Sequence, residues 1–210
     1  MTIKLYAFPP SPRAFKVLFV ANHLGLDYEL KLVDLTKGEQ NAPAYAALNP
    51  NKRMPTLDDD GFILWESNAI ALYLAQKKPE AGLLPADLKG RMAIEKWLFW
   101  ESNHWDPACA VLVYERFVKA FFGRGGPTPS EEARGTEMLA RLGPVLDGQL
   151  AKHRYVAGDT LSLADLCIVA SLTMAEPARF PLEDYRGIQR WQAEMKSLPA
   201  WQKTVAMQGR

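Results

Sequence analysis

The sequence predicts a chain in two parts: an α/β N-terminal unit with the element order βαβ-ββα, followed by an all-helical second half. Short strand-like runs and helical runs alternate as far as Gln76. Proline and glycine then interrupt the pattern in Lys77–Pro85, which we interpret as the linker. Beyond Asp87 the apolar residues follow an almost entirely helical spacing.

The first part divides into the six elements of this order and one additional short helix. A strand is predicted at residues 2–8, and a helix follows the proline-rich turn and ends near Gly25, a plausible helix C-cap. Tyr28–Val33 alternates as a second strand, and a helical crossover makes these two strands parallel. The remaining elements are a short helix at Pro43–Leu48, a hairpin of Thr56–Leu57 and Phe62–Trp65, and a helix from Ser67 to about Gln76.

The second part is predicted to contain one long helix within 91–122, kinked or divided at Pro107. A further helix is expected from Ser130, as N-cap, to about Lys152, bent at Gly143-Pro144. Ser162 and Asp165 have the spacing of a capping box, which predicts a well-formed, buried helix start.

Composition excludes several classes of function. The chain has 210 residues and a formal net charge of +1, so nothing in its charge favours nucleic acid or an anionic membrane. We find no signal segment and no apolar run near the roughly 20 residues that span a bilayer. Cys109 and Cys167 form no CxxC motif, and the three histidines have no metal-binding spacing. A reducing, cytoplasmic setting without a bound metal is expected.

The stretch around Met54-Pro55 and Glu66-Ser67 carries most of the functional information. A proline there must lie at a strand start or an edge, and X-Pro is where a cis peptide costs little. Ser67 lies at a predicted helix start, where backbone N–H groups and the helix dipole attract carboxylates. The stretch therefore offers a backbone for an extended peptide with an anion site beside it.

Four motifs together resemble the cytosolic glutathione transferases, in their order and spacing over essentially the whole chain. They are Phe8-Pro-Pro-Ser-Pro-Arg, Asn49-Pro-x-x-x-x-Pro55, Glu66-Ser67-x-Ala-Ile and Gly158-Asp-x-Leu-Ser-Leu-Ala-Asp165. The resemblance implies a thioredoxin-like glutathione-binding domain at 1–78 and an all-helical substrate-binding domain at 88–210. It also implies a homodimer, and membership of the serine-type classes (theta, delta and phi-like), in a bacterial-type member.

The resemblance also implies roles for individual residues. Ser11 matches the serine that hydrogen-bonds the glutathione sulfur, and Met54 matches the residue before the cis-proline Pro55, whose backbone pairs with the cysteinyl part. Glu66 and Ser67 match the pair that holds the γ-glutamyl end. The other positions implied to contact glutathione are Arg53, beside its backbone, and Gln40, near its glycyl carboxylate.

Two departures from the family pattern concern the same site. Asn68 stands where several classes have arginine after the Glu-Ser pair, so the γ-glutamyl contacts differ. Pro12 removes one N–H group from the helix start beside Ser11.

The second, electrophilic substrate is expected against the first part of the helical half. Phe8, Trp105, Tyr114 and Phe117 are the expected lining residues, although aromatic residues at helical spacing are more often core. The expected activity is detoxifying conjugation of glutathione to small hydrophobic electrophiles. The alternatives are glutathione-dependent disulfide or peroxide reduction, dehalogenation, or a non-catalytic ligand-binding or scaffold role.

Overall fold

A computed structural model describes residues 2–209 of the chain. It divides into two compact units, of which the second is Pro85–Lys196. The first consists of the described residues up to Leu84 together with those from Ser197 onward. These units differ from the expected domains, 1–78 and 88–210, chiefly at the C-terminal end, where the last residues pack on the first unit.

The first unit contains a four-stranded mixed sheet in the order β2-β1-β3-β4. Strands β1 and β2 are parallel and β3 is antiparallel to β4, as the sequence predicted. Strand β3 also pairs with β1, in the antiparallel direction. Its elements are β1 (Ile3–Ala7), α1 (Pro12–His23), β2 (Tyr28–Leu32), α2 (Pro43–Leu48), β3 (Thr56–Asp59), β4 (Phe62–Trp65) and α3 (Ser67–Gln76). Single 3-10 turns lie at Leu35–Lys37, Glu39–Asn41 and Pro79–Ala81. The predicted thioredoxin-like architecture is confirmed.

The local sequence explains this arrangement. Alternate residues of β1 are buried, and α1 buries every residue from Ala14 to Asn22. The hairpin between β3 and β4 turns through Asp60 and Gly61, which both have positive φ, at 55° and 88°. A two-residue turn with two such residues matches the right-handed twist of its strands and fixes their register.

The second unit is helical. Its α-helices are α4 (Leu88–Trp100), α5 (Asp106–Val113), α6 (Lys119–Phe121), α7 (Pro129–Leu150), α8 (Leu163–Val169) and α9 (Arg186–Lys196). Two π-helical segments, Glu101–Trp105 and Tyr114–Val118, join α4 to α5 and α5 to α6, and Ala170–Met174 is a 3-10 helix. No helix in the described part of the chain is long and apolar enough to cross a membrane.

Pro107 lies just after the first π-helical segment, as the second residue of α5. A proline ring clashes with the carbonyl four residues earlier in a regular helix. Here that carbonyl belongs to Asn103, inside the wider π-helical turn. The predicted interruption at Pro107 therefore takes the form of a π-helical segment ahead of the proline.

Two predicted helix starts had opposite outcomes. Helix α7 begins at Pro129 with Thr128 as its N-cap, so the prediction of Ser130 as N-cap was wrong. Proline at the first helical position needs no N–H acceptor and has a helical φ, which moved the start one residue earlier. The capping box of α8 is confirmed: the Ser162 N–H donates to the Asp165 carboxylate at 2.9 Å.

A last helix, α10 (Pro199–Val205), returns the chain to the first unit. Its Trp201 ring packs on Phe15 and Phe19 of α1, with centroid distances of 4.7 and 5.4 Å. The buried Asn22 amide donates to Thr204 Oγ1 at 2.9 Å. The outer face of α1 is thus completed by residues from the end of the chain.

Candidate functional site

A buried polar network shapes the loop before β3. Asn49 Nδ2 donates to the Arg53 carbonyl at 2.7 Å and to Thr56 Oγ1 at 3.1 Å. The Tyr45 hydroxyl donates to the same Arg53 carbonyl at 2.6 Å. Burial raises the pKa of the Tyr45 phenol, which keeps it protonated as a donor. Two donors therefore hold one carbonyl inward, immediately before Met54.

Removing the Tyr45 hydroxyl should loosen this loop. We expect Tyr45→Phe to lower the free energy of unfolding by about 1–2 kcal/mol, because the buried Arg53 carbonyl loses one of two donors. Tyr6→Phe, on β1 beside Tyr45, is the matched control, since the described residues provide no hydrogen bond to its hydroxyl. Urea titration of both variants measures the difference, and equal losses would contradict the role given to Tyr45.

The Met54-Pro55 peptide bond is cis and lies at the start of β3, as the sequence allowed. Met54 precedes the ladder, whose first paired residue on β3 is Thr56. Its side chain is buried with Val33 and Tyr45, and Phe8 packs against the same cluster. The Met54 side chain is therefore fixed in the core while its backbone lies outside the strand pairing.

Glu66 has an unusual backbone conformation at the start of α3. Its φ is +73° and its ψ is 114°, and its carbonyl accepts the Ile70 N–H at 2.9 Å. A non-glycine residue in such a conformation costs about 1–3 kcal/mol, and such residues cluster at functional sites. The side chain is exposed. Glu66 thus presents an accessible carboxylate next to the N–H groups of the first turn of α3.

Ser11 is the N-cap residue of α1 and lies four residues beyond Ala7, the last residue of β1. Its N–H donates to the Phe8 carbonyl and its own carbonyl accepts the Phe15 N–H, both at 2.8 Å. Its hydroxyl makes no capping bond to the helix, and Pro12 occupies the first helical position. The half-buried Ser11 side chain is therefore held by its backbone and is not consumed in capping α1.

Lys16 links the second turn of α1 to the start of α3, a contact that was not predicted from the sequence. Its side chain lies in the buried face of α1, and the residue is only 2% exposed. Its ammonium donates to Ser67 Oγ at 3.0 Å and to Asn68 Oδ1 at 2.9 Å, both in the first turn of α3. The available signal was a single lysine within a run of residues that otherwise suits a helix core.

The two remaining expected glutathione contacts lie on different loops of the first unit. Arg53 is exposed and contributes its carbonyl to the network described above. Gln40 lies in the 3-10 turn Glu39–Asn41, and its Oε1 is buried without a hydrogen-bond partner among the described residues. An unpaired amide this close to the surface retains capacity to bind a polar ligand.

The expected electrophile-lining residues of the second unit differ in accessibility. Trp105 is fully buried and stacks on Trp100 with a centroid distance of 5.6 Å, so its side chain belongs to the core of that unit. Tyr114 and Phe117 lie in the second π-helical segment and are 43% and 37% exposed. Among the expected lining residues of this unit, only Tyr114 and Phe117 therefore expose aromatic surface.

Within residues 2–209, no cluster of three or more His, Cys, Asp or Glu side chains could hold a metal ion. Both cysteines are buried in the helical unit, and burial raises the pKa of the Cys109 thiol well above its usual value. The polar groups brought together in the first unit are hydroxyl, amide, ammonium and carboxylate groups. They suit a polar, zwitterionic ligand.

Comparison with known proteins agrees with this geometry. Residues 1–76 match the family model of the glutathione S-transferase N-terminal domain, and residues 112–199 match that of the C-terminal domain. The chain is 38% identical to glutathione S-transferase 3 of Zea mays over 209 residues, covering 97% of this chain and 93% of the relative.

Solved structures show the same similarity. Glutathione transferase F7 from Populus trichocarpa superposes with a TM-score of 0.91 at 30% identity, covering 99% of each chain. Glutathione S-transferase-I bound with lactoylglutathione gives a TM-score of 0.87 at 27% identity, covering 99% of this chain and 100% of the other. With both family models matched and a relative aligned over nearly its whole length, this chain belongs to the cytosolic glutathione transferase family.

Proposed function

We propose that this protein conjugates the glutathione thiol to small hydrophobic electrophiles, with Ser11 stabilising the thiolate. The observation that carries the proposal is the Ser11 hydroxyl, which stands at the start of α1 and makes no capping bond. The same unit holds the cis Met54-Pro55 bond and the strained Glu66. The Ser11 hydroxyl can therefore donate a hydrogen bond to a ligand, in the unit that carries the expected glutathione contacts.

The chemistry requires glutathione to react as its thiolate. A free cysteine thiol has a pKa of about 8.5, so most of it is protonated at neutral pH. A hydrogen bond from Ser11 Oγ and the positive end of α1 both favour the anion. The thiolate sulfur then attacks the electrophilic carbon, a C–S bond forms, and the leaving group departs with the electron pair of the broken bond.

We assign the rest of glutathione to groups already described. The Met54 backbone, which lies outside the strand pairing, pairs with the cysteinyl peptide group. Glu66 takes the γ-glutamyl ammonium by charge complementarity, and Ser67 takes the carboxylate of the same end. Gln40 is assigned to the glycyl carboxylate, to which its amide N–H can donate, and Arg53 is assigned to the glutathione backbone.

For the electrophile we propose contacts with Tyr114 and Phe117, which expose aromatic surface in the helical unit. The expected role of Phe8, which packs beside Met54 in the first unit, stays a prediction from the family resemblance. Trp105 is fully buried, so we propose that it supports the helical unit from within and makes no direct contact. The electrophile itself is defined here only by class, as small and hydrophobic.

Several further assignments stay predictions drawn from the family resemblance. They are the serine-type, bacterial-type class, the homodimer and the cytoplasmic location. Exposed Phe62 and Trp65 on β4, the edge strand of the sheet, support an interface between copies.

Peroxide or disulfide reduction through two glutathione molecules, dehalogenation and a scaffold role are the competing functions. Transfer through a protein thiol is not supported, since both cysteines are buried in the helical unit.

Glutathione binding is the test of the proposal. We expect the wild-type protein to bind glutathione in calorimetry and to turn over an aromatic chloro-dinitro electrophile. Glu66→Gln should weaken glutathione about 10-fold, as expected for one ion pair with a charged ligand group. Glu80→Gln, an exposed glutamate of the same unit, is the matched control. Failure of the wild type to bind glutathione would favour the scaffold role.

A further inference from the structure

Lys16 is the most unusual charged residue of the first unit, because α1 holds it inside an otherwise apolar face. Its neighbours Phe15 and Val17 are fully buried, and Lys16 itself is 2% exposed. A buried ammonium is costly unless hydrogen bonds satisfy it. Its Nζ meets this need with Ser67 Oγ at 3.0 Å and Asn68 Oδ1 at 2.9 Å.

The direction of these two hydrogen bonds follows from the chemistry of the ammonium. A lysine ammonium only donates, so Ser67 Oγ must act as acceptor in this pair. The hydroxyl hydrogen of Ser67 then points away from Lys16. The same rule fixes the Asn68 amide, whose oxygen faces Nζ and whose NH2 group faces the other way. Lys16 therefore leaves the Ser67 hydroxyl as a donor beside the first N–H groups of α3.

These donors lie where an anion is already favoured. Ser67 is the first residue of α3, a ten-residue helix whose first N–H groups have no acceptor inside the helix. The Glu66 carboxylate lies on the adjacent residue and complements an ammonium. The α-carbon of an amino acid carries both a carboxylate and an ammonium. Such a group complements the N–H groups of α3 with its carboxylate and the Glu66 carboxylate with its ammonium.

We propose that Lys16 is a positioning residue for the γ-glutamyl carboxylate of glutathione, acting through the Ser67 hydroxyl. The inference rests on the proposed function and adds to it how the γ-glutamyl end is recognised. Polarisation by the ammonium also strengthens the Ser67 O–H as a donor. Helix α1 thus carries Ser11 at its start and Lys16 five residues later, about 7.5 Å along the helix axis.

The test compares two ligands in calorimetry: glutathione and the analogue in which γ-aminobutyrate replaces the γ-glutamyl residue, so that only the carboxylate is missing. We expect Lys16→Met to weaken glutathione about 10- to 30-fold, as for the loss of one charge-assisted hydrogen bond. Affinity for the analogue should change by less than about 3-fold, because it has no carboxylate to lose. KM for glutathione should rise in parallel, with kcat at saturation nearly unchanged.

Two further variants separate positioning from a structural role. Ser67→Ala should weaken glutathione by a similar factor, and the double variant with Lys16→Met should lose little more, since both act on one contact. Lys4→Met, which removes a half-exposed lysine of β1, controls for the loss of one positive charge. If Lys16→Met does not fold, Lys16→Gln, which retains an N–H donor, replaces it. We then expect the same pattern of affinity losses, with smaller fold-changes.

Each other outcome overturns the proposal. Equal weakening of both ligands would make Lys16 a structural link between α1 and α3, and unchanged binding would remove it from recognition. Additive losses in the double variant would show that it does not act through Ser67. If the wild type fails to bind glutathione, the proposed function is rejected together with the role of Lys16. If the wild type binds glutathione and any of the results above is found, only the role of Lys16 is rejected.

Discussion

Replacing Ser11 by alanine should raise the pKa of the bound glutathione thiol by about one to two units, equivalent to about 1.4–2.7 kcal/mol. The hydroxyl is the donor that we assign to the thiolate, and its loss removes a charge-assisted hydrogen bond. At neutral pH the thiolate fraction falls accordingly, so kcat/KM should drop about 10- to 100-fold. Ultraviolet titration of bound glutathione against pH measures the pKa directly, and steady-state kinetics measures the rate.

The fold itself should hardly respond to this change. Because the Ser11 side chain makes no capping bond to α1, we expect Ser11→Ala to shift Tm by less than about 2 °C. Calorimetry should show glutathione still binding, which separates loss of activation from loss of the site. An unchanged thiol pKa in a variant that binds glutathione would assign activation of the sulfur elsewhere, either to Arg13, which lies in the first turn of α1, or to backbone N–H groups.

The largest effect on stability is expected at Asp165. This fully buried carboxylate accepts the Val156 N–H at 2.8 Å, the Trp191 indole N–H at 2.9 Å and the Ser162 N–H at 2.9 Å. It also accepts the Ser162 hydroxyl at 2.8 Å. Asp165→Ala leaves these donors buried without an acceptor, at about 1–3 kcal/mol each before relaxation. We expect a total loss of about 3–5 kcal/mol in the free energy of unfolding.

Urea and thermal unfolding measure this loss, with Asp184→Ala as control. Asp184 is an exposed carboxylate of the same unit, and its removal should change stability by less than about 0.5 kcal/mol. Asp165→Asn should be intermediate, since its amide oxygen still accepts on one side while its NH2 group faces the Ser162 N–H. A loss at Asp165→Ala no larger than at Asp184→Ala would contradict the role given to this cap.

The pH dependence of the same variant has a definite sign. Burial is the main cause that raises the pKa of Asp165 above its usual value, against the lowering effect of its hydrogen bonds. A carboxyl whose pKa is raised by folding favours the folded state more when it is protonated. The stability difference between the wild type and Asp165→Ala should therefore widen as the pH falls through the folded-state pKa.

Much of the first unit could be predicted because its signals are local. The turn at Asp60-Gly61, the proline before Thr56 and the apolar alternation of β1 each specify backbone geometry over a few residues. The same applies to the capping box of α8, where Ser162 and Asp165 are three residues apart. Predictions of this kind were confirmed where one local rule dominated.

The parts that could not be predicted depend on contacts between distant segments or on competing local rules. In the sequence, Lys16 is only an interruption of an apolar helix face. Its hydrogen bond to Ser67 depends on the packing of α3 against α1, which the sequence does not reveal. At the start of α7 two rules competed, and Pro129 at the first helical position prevailed over Ser130 as a cap. The π-helical segments have no composition signal that separates them from α-helix.

The packing of α10 on α1 has a consequence for the order in which the molecule can fold. Trp201, which covers Phe15 and Phe19, leaves the ribosome only after the whole helical unit, whereas these two partners leave before that unit. Helix α1 carries Ser11 at its start. The outer packing of the helix that carries Ser11 is therefore added only after both the sheet and the helical unit have emerged.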